Sequence, residues 1–230
     1  MKTIGIIGGI SWLSTIEYYK FVNQIVNERL GGVNAAQVII YSVNFADIKR
    51  MTEADDWNGM VTMISNAAVE LEKAGADCIL IGANTMHKIA DMVQTAVNIP
   101  VIHVAIVTAD AIKKQNLQTV ALLGTKYVMQ QEFYRNKLSE QGINVLIPEQ
   151  DDIDYINNAI YTEFGKGIFL PGTKTRFLQI IDKLTAKGAE GVIFGCTEIP
   201  ILIQAHECRI PVFDTTLIHA TAAVDLALGE

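Results

Sequence analysis

The sequence predicts an α/β protein built as two similar parallel-sheet half-domains related by a pseudo-two-fold axis, with an active site in the cleft between them. Three observations carry that expectation. Short runs of Ile, Val and Leu alternate with amphipathic stretches along the whole chain, which is the βαβ pattern. The apolar runs are nearly continuous, as strands are when helices cover both faces of their sheet. The third observation is an internal repeat. KTIGIIG at 2–8 returns as QTVALLG at 118–124, an offset of 116; GADCILIGA at 75–83 returns as GAEGVIFGC at 188–196, an offset of 113; and IPV at 99–101 returns at 210–212, an offset of 111. Three blocks in one order, sharing Gly and Pro positions, indicate a duplicated unit whose strand ends face one crevice.

Strands are expected near 2–8, 37–44, 77–82, 101–104, 118–123, 144–147, 191–195 and 211–213, where apolar runs close on Gly, Asn, Thr or Asp. The amphipathic stretches between them predict helices near 13–30, 56–74, 85–97, 105–115, 128–141, 150–166, 174–187, 198–206 and 215–228. The first half then comprises 1–103 with 213–230, and the second comprises 104–212.

A chain of 230 residues can bury a core without disulfides or metal. Half of it is hydrophobic, yet no apolar run approaches the roughly 20 residues that cross a bilayer, so a soluble protein with no membrane partner is expected. The apolar start of the chain ends in Gly8-Gly9 and reads as a buried strand, not as a signal peptide. Cys78, Cys196 and Cys208 are too few and too scattered for a disulfide framework or a zinc site, which suits a reducing cytoplasm. A formal charge of −7 argues against nucleic acid, although local backbone N–H groups can still bind a small anion.

Four strand ends are candidates for that role: Gly8-Gly9-Ile10-Ser11, Gly82-Ala83-Asn84-Thr85, Gly124-Thr125 and Gly195-Cys196-Thr197-Glu198. Glycine lets backbone N–H groups approach a ligand, and the hydroxyl and amide side chains add donors and acceptors that fit a small carboxylate. The glycine spacing is not that of a dinucleotide fingerprint, and the second strand does not end in a ribose-binding acid. Cys196, placed where a strand turns into a helix, is the candidate base or nucleophile, with its thiolate expected to be favoured by the helix N-terminus. Cys78 and Cys208 read as core residues.

The segments IGIIGGISWLSTIEYY (4–19), ANTMHK (83–88), LLGTKYVM (122–129), GVIFGCTEIP (191–200) and PVFDTTLIHA (211–220) resemble those of aspartate/glutamate racemases over nearly the whole chain. The resemblance implies proton exchange at the α-carbon of an acidic amino acid, with no metal, pyridoxal or other cofactor. One half supplies a base and the other an acid. By the family pattern Cys196 is the second-half thiol, followed by Thr197 and Glu198 at the substrate. Asn84 and Thr85 hold the α-carboxylate, Thr125 adds a hydroxyl, and Ser11, Ser14 and Thr15 fall in the first loop. Lys166 lies near a position where some members grip the side-chain carboxylate, and a solvated cation near a helix end is its other reading. His87 and His219 follow strand-end motifs as auxiliary groups or as structural histidines. A small acidic amino acid as ligand and a homodimer are expected.

The chain departs from the pattern at Ala83, where the repeat and the family place the opposing thiol or hydroxyl, and at Val128, where many members carry a hydroxyl. Alanine cannot exchange a proton. Three readings follow. The chain is an altered or inactivated form; or it is a one-thiol enzyme, as in the similar arylmalonate decarboxylases or an isomerase of a small diacid; or it is a binding protein on this fold.

Overall fold

The computed structural model describes residues 1–229. The polypeptide divides into two compact units, one formed by Met1–His103 with the chain from His219 onward, the other by Val104–Ile218.

The first unit is built on a parallel sheet of order β2-β1-β3-β4, with β1 Ile4–Gly8, β2 Val38–Ser42, β3 Cys78–Ile81 and β4 Val101–Ile102. Because successive side chains leave a strand on opposite faces, the apolar runs feed two cores. Ile4, Ile6, Cys78 and Leu80 pack against Tyr18, Val22 and Val26 of α1 (Trp12–Leu30) and Ala220, Ala223 and Val224 of α11 (Thr215–Leu228). Ile7, Ile79 and Ile81 pack on the other side against Ile64, Ala67 and Leu71 of α3 (Trp57–Lys73). The continuous hydrophobicity of these strands is thus the direct result of burial on both faces.

The second unit repeats the plan with order β6-β5-β7-β8, from β5 Thr119–Gly124, β6 Asn144–Leu146, β7 Gly191–Gly195 and β8 Val212–Asp214. Ala121, Leu123, Val192 and Phe194 meet α8 (Gln150–Thr162) and α9 (Pro171–Ala186) through Ile156, Phe177 and Ile180. Val120, Leu122, Ile193 and Phe213 meet α5 (Val104–Lys114) and α7 (Glu132–Ser139) through Ala109, Ile112, Tyr134 and Leu138. The α8–α9 contact also holds an ionic cluster: buried Asp152 accepts from Arg176 at 2.6 Å and Lys183 at 2.9 Å. Both cations reach solvent, so Asp152→Ala is expected to cost about 1–3 kcal/mol, read as a lower urea midpoint.

Several expected elements differ in detail. The chain returns to the first unit at His219 and not at 213, because β8 pairs with β7. A helix not expected from the sequence, α2 (Phe45–Glu53), is capped by Asn44, whose side chain accepts from the Ala46 N–H; Ile48 and Met51 are its buried residues, too few to show a period. The expected helix over 85–97 is a 3-10 turn, Thr85–Ile89, followed by α4 (Ala90–Gln94). The stretch 128–141 is divided by extended Gln131 into α6 (Lys126–Gln130) and α7. After β7, the expected helix over 198–206 shrinks to α10 (Ile199–Leu202), one turn long, and a 3-10 turn at Ala205–Glu207.

Candidate functional site

In the first unit the predicted residues gather at the C-terminal ends of neighbouring β1 and β3. Gly9, with φ of 78°, makes the turn out of β1; a Cβ there would collide with the Val43 carbonyl, so only glycine fits. Ser11 caps α1 by accepting from the Ser14 N–H, and Thr15 Oγ1 accepts from the Gly9 N–H at 2.9 Å while donating to the Ser11 carbonyl at 3.0 Å. This side-chain bracing fixes the loop that the sequence marked. Across from it, Gly82 donates to the Ile7 carbonyl, and Ala83, Asn84 and Thr85 lead into the 3-10 turn, with Asn84 buried and Thr85 half-buried.

His87 and His219 lie under this loop. The His87 ring faces the Ala83 carbonyl at 3.0 Å through Nδ1, and since a carbonyl only accepts, Nδ1 carries the proton. His219 Nε2 likewise donates to the Ile102 carbonyl at 2.7 Å, leaving Nδ1 to accept from the Tyr18 hydroxyl at 2.9 Å. His87 stacks edge-on with His103 and His219 at centroid separations of 5.0 and 5.2 Å. Burial, and then the neighbouring His103, push the His87 pKa down to about 3, and burial with His87 carries His219 well below its ordinary value. The neutral rings brace the backbone beneath Ala83. Tyr18 and His103 escaped the sequence reading, although His103 sits directly after the β4 run.

In the second unit Thr125 follows β5, and its hydroxyl caps α6 by accepting from the Val128 N–H at 3.3 Å. Val128 itself is fully buried in the core. Cys196, Thr197 and Glu198 follow β7, which runs beside β5 in the register Gly124↔Gly195. The Cys196 thiol donates to Glu198 Oε2 at 3.0 Å, and the Thr197 hydroxyl donates to the same oxygen at 2.7 Å. Glu198, expected among the substrate ligands, therefore turns a carboxylate oxygen to the thiol.

The expectation of a favoured thiolate is corrected here. Burial first, then the charge of Glu198 and its hydrogen bond, raise the Cys196 pKa well above the usual thiol value; the Glu198 and Ile199 N–H groups oppose this and lose. A single turn of helix after the cysteine aligns too few peptide dipoles to reverse the balance. The same causes favour the protonated thiol, hydrogen-bonded to the Glu198 side chain. Tyr161, near the end of α8 and 39% exposed, belongs to the same neighbourhood: partial burial, then Tyr127, Cys196 and Glu198, push its hydroxyl up to about 12. It lies 35 residues before Cys196, and no sequence pattern links them. Lys166 stands exposed at the end of a 3-10 turn, Phe164–Lys166, after α8.

The two units can be compared through their strand registers. β1 and β3 pair as Ile7↔Ile81, so Gly8 stands level with Gly82 as Gly124 does with Gly195. The residue after the glycine is Ala83 in one unit and Cys196 in the other. Among the described residues no group of three or more His, Cys, Asp or Glu side chains could hold a metal ion, and no helix is long and apolar enough to cross a membrane.

Two four-stranded parallel sheets of the same order, each in its own unit, define the class: a duplicated parallel α/β protein. The chain belongs to the Asp/Glu/hydantoin racemase family, whose model matches residues 7–223. It is 25% identical to the broad specificity amino-acid racemase RacX of Bacillus subtilis (strain 168), over 98% of each chain. A Yersinia pestis protein provisionally described as an Asp/Glu racemase has a crystal structure that superposes with a TM-score of 0.93 at 45% identity, covering 99% of this chain and 100% of that one. PH1733 of Pyrococcus horikoshii OT3, described as an aspartate racemase homologue, gives a TM-score of 0.87 at 37% identity with the same coverage. The fold is shared further with the glutamate racemase of Francisella tularensis subsp. tularensis SCHU S4, at 20% identity and a TM-score of 0.70 over 99% of this chain and 81% of that one.

Proposed function

We propose that the protein exchanges the α-proton of an acidic amino acid, aspartate or glutamate, using Cys196 as its single thiol acid/base and Glu198 as the group that takes up and returns the thiol proton. The observation that carries this reading is the Cys196–Glu198 hydrogen bond at the end of β7, with alanine at the matching place after β3. In this reaction the Cα–H bond breaks, its proton passes to sulfur, and the electron pair spreads into the substrate's own carboxylate. Backbone N–H groups and the hydroxyls and amide at Ser11, Asn84, Thr85, Thr125 and Thr197 stabilise the developing charge. The electron sink is the substrate itself, so the chemistry needs no metal or pyridoxal. Lys166 is the candidate for the distal carboxylate.

With alanine at the repeat counterpart of Cys196, this reading has one exchanging side chain, so a proton removed by sulfur is returned by sulfur to the same face. Exchange without inversion is therefore expected to outrun racemisation, and inversion requires water to deliver the proton opposite. Incubation with L- or D-aspartate or glutamate in deuterated water, followed by NMR of the α-proton and chiral chromatography, tests this directly. The expected result is deuterium in one starting enantiomer accumulating at least about tenfold faster than its mirror image, a ratio within the span that one acid–base group controls. Ala83→Cys is expected to raise inversion by a similar factor. Saturable binding with no exchange in any of the four acids would make this a ligand-binding protein, and carbon dioxide release from a substituted diacid would assign the lone thiol to protonating a carbanion after decarboxylation.

A further inference from the structure

The segment ANTMHK, which leads out of β3, ends in a cation that has no part in the site so far. Lys88 lies on the 3-10 turn Thr85–Ile89 and is partly buried. In a 3-10 helix residues three apart eclipse one another and each rises about 2 Å, so Lys88 stands over Thr85, about 6 Å along the axis. The flexible four-carbon stem of a lysine covers that distance. A carboxylate held at Asn84 and Thr85 therefore falls within reach of the Lys88 ammonium.

At rest this ammonium lies on an aromatic ring. Lys88 Nζ is 3.6 Å from the centroid of Trp57, the residue that opens α3. The ring is fixed in its turn, because its Nε1–H donates to Asp55 Oδ1 at 2.5 Å and Asp56 caps the same helix by accepting from the Gly59 N–H at 2.8 Å. Among the described residues no carboxylate forms an ion pair with Lys88. The cations of α2 differ in this respect: Lys49 meets Glu53 at 3.7 Å and Arg50 meets Asp47 at 3.0 Å. Burial lowers the Lys88 pKa, and the charge of Asp55 opposes that shift without reversing it. The ammonium has thus given up water for an indole face, a weaker partner than a carboxylate oxygen would be.

We propose that Lys88 is a substrate-binding residue of the first unit: the carboxylate held by Asn84 and Thr85 draws its ammonium off Trp57 and keeps it as counter-ion. The inference rests on the reading of Asn84 and Thr85 as the α-carboxylate site. When the Cα–H bond breaks, the electron pair moves into that carboxylate and its negative charge grows, so a cation here favours the transition state over the bound acid. The arrangement also selects for charge, because a neutral amide of the same shape offers the ammonium nothing for which to leave the indole.

Trp12→Phe leaves Trp57 as the single tryptophan of the full chain and makes its emission a gauge of the ammonium. L-aspartate, L-glutamate and succinate are expected to change that emission saturably, and succinamide to leave it unchanged. In the same background Lys88→Met is expected to abolish the response and to weaken calorimetric binding of the acids by about 10–100-fold, with circular dichroism unchanged. Lys88→Arg keeps the charge and is expected to recover the larger part of the affinity, which a lysine needed only for packing would not require. Emission that ignores all three acids, emission that answers equally to succinamide, or a Lys88→Met chain that binds the acids as tightly as its parent would overturn the inference, even where α-proton exchange proceeds. Exchange that is absent while Trp57 still answers to the acids overturns the racemase reading instead and leaves Lys88 in its role.

Discussion

Cys196→Ser is expected to reduce α-proton exchange by about 10²–10⁴-fold while leaving the fold intact, because it removes the acid–base group and keeps the side-chain shape. Burial and Glu198 hold the thiol in its protonated form, and because Glu198 takes the thiol proton within the pair, the reactive form carries as many protons as the resting one, so exchange should change little between pH 7 and 9. Glu198→Gln separates the two roles of the carboxylate. Removing the anion removes the second cause of the raised pKa and weakens the third, so the thiol should ionise at lower pH. The same change removes the proton acceptor, so exchange near neutrality should fall. Alkylation of Cys196 followed by peptide-resolved mass spectrometry reads the first effect and NMR exchange the second. A midpoint that stays put or rises in Glu198→Gln would remove Glu198 as a cause of the raised thiol pKa, and exchange that survives Cys196→Ser would remove Cys196 from the mechanism.

The strands were legible because burial on both faces leaves a continuous apolar run, as in Ile4–Gly8 and Gly191–Gly195. The repeat showed why the two sheets share one order. The helix α2 was not legible, since Ile48 and Met51 give only one repeat of the helical period and its Asn44 cap resembles a turn. The strand-end residues were visible as a pattern of Gly with Ser, Thr and Asn, but their side-chain partners were not. Nothing in CTE states that Glu198 bends back to the sulfur two residues before it, and the expected helix dipole at Cys196 failed because α10 ends after Leu202. Tyr161 reaches the same neighbourhood from another helix, a relation that depends on how α8 packs on β5.

The histidine cluster leads to the other large effect, which is acid lability of the first unit. An unfolded histidine titrates near 6.5, whereas His87 is held at about 3 and His219 well below its ordinary value by burial and by facing imidazoles. A depressed folded pKa means that only the unfolded chain takes up protons as pH drops. The contribution to stability is therefore complete above about pH 6.5 and is lost progressively toward the folded value. At pH 5 His87 alone accounts for about 2 kcal/mol of lost stability, and His219 adds to the loss in the same direction. The carboxylates whose pKa is lowered, Glu149, Glu190 and Glu207, begin to lose their partners only below about 4.5, so the interval from 6.5 to 5 belongs to the histidines. Urea unfolding at pH 7.5, 6 and 5 should show the midpoint dropping through that interval. His219→Gln, which keeps an N–H for the Ile102 carbonyl but cannot titrate, should make the slope shallower. A flat response down to pH 5, or an unchanged slope in His219→Gln, would mean that protonation reaches these rings without unfolding, and the neutral brace beneath Ala83 would have to be abandoned.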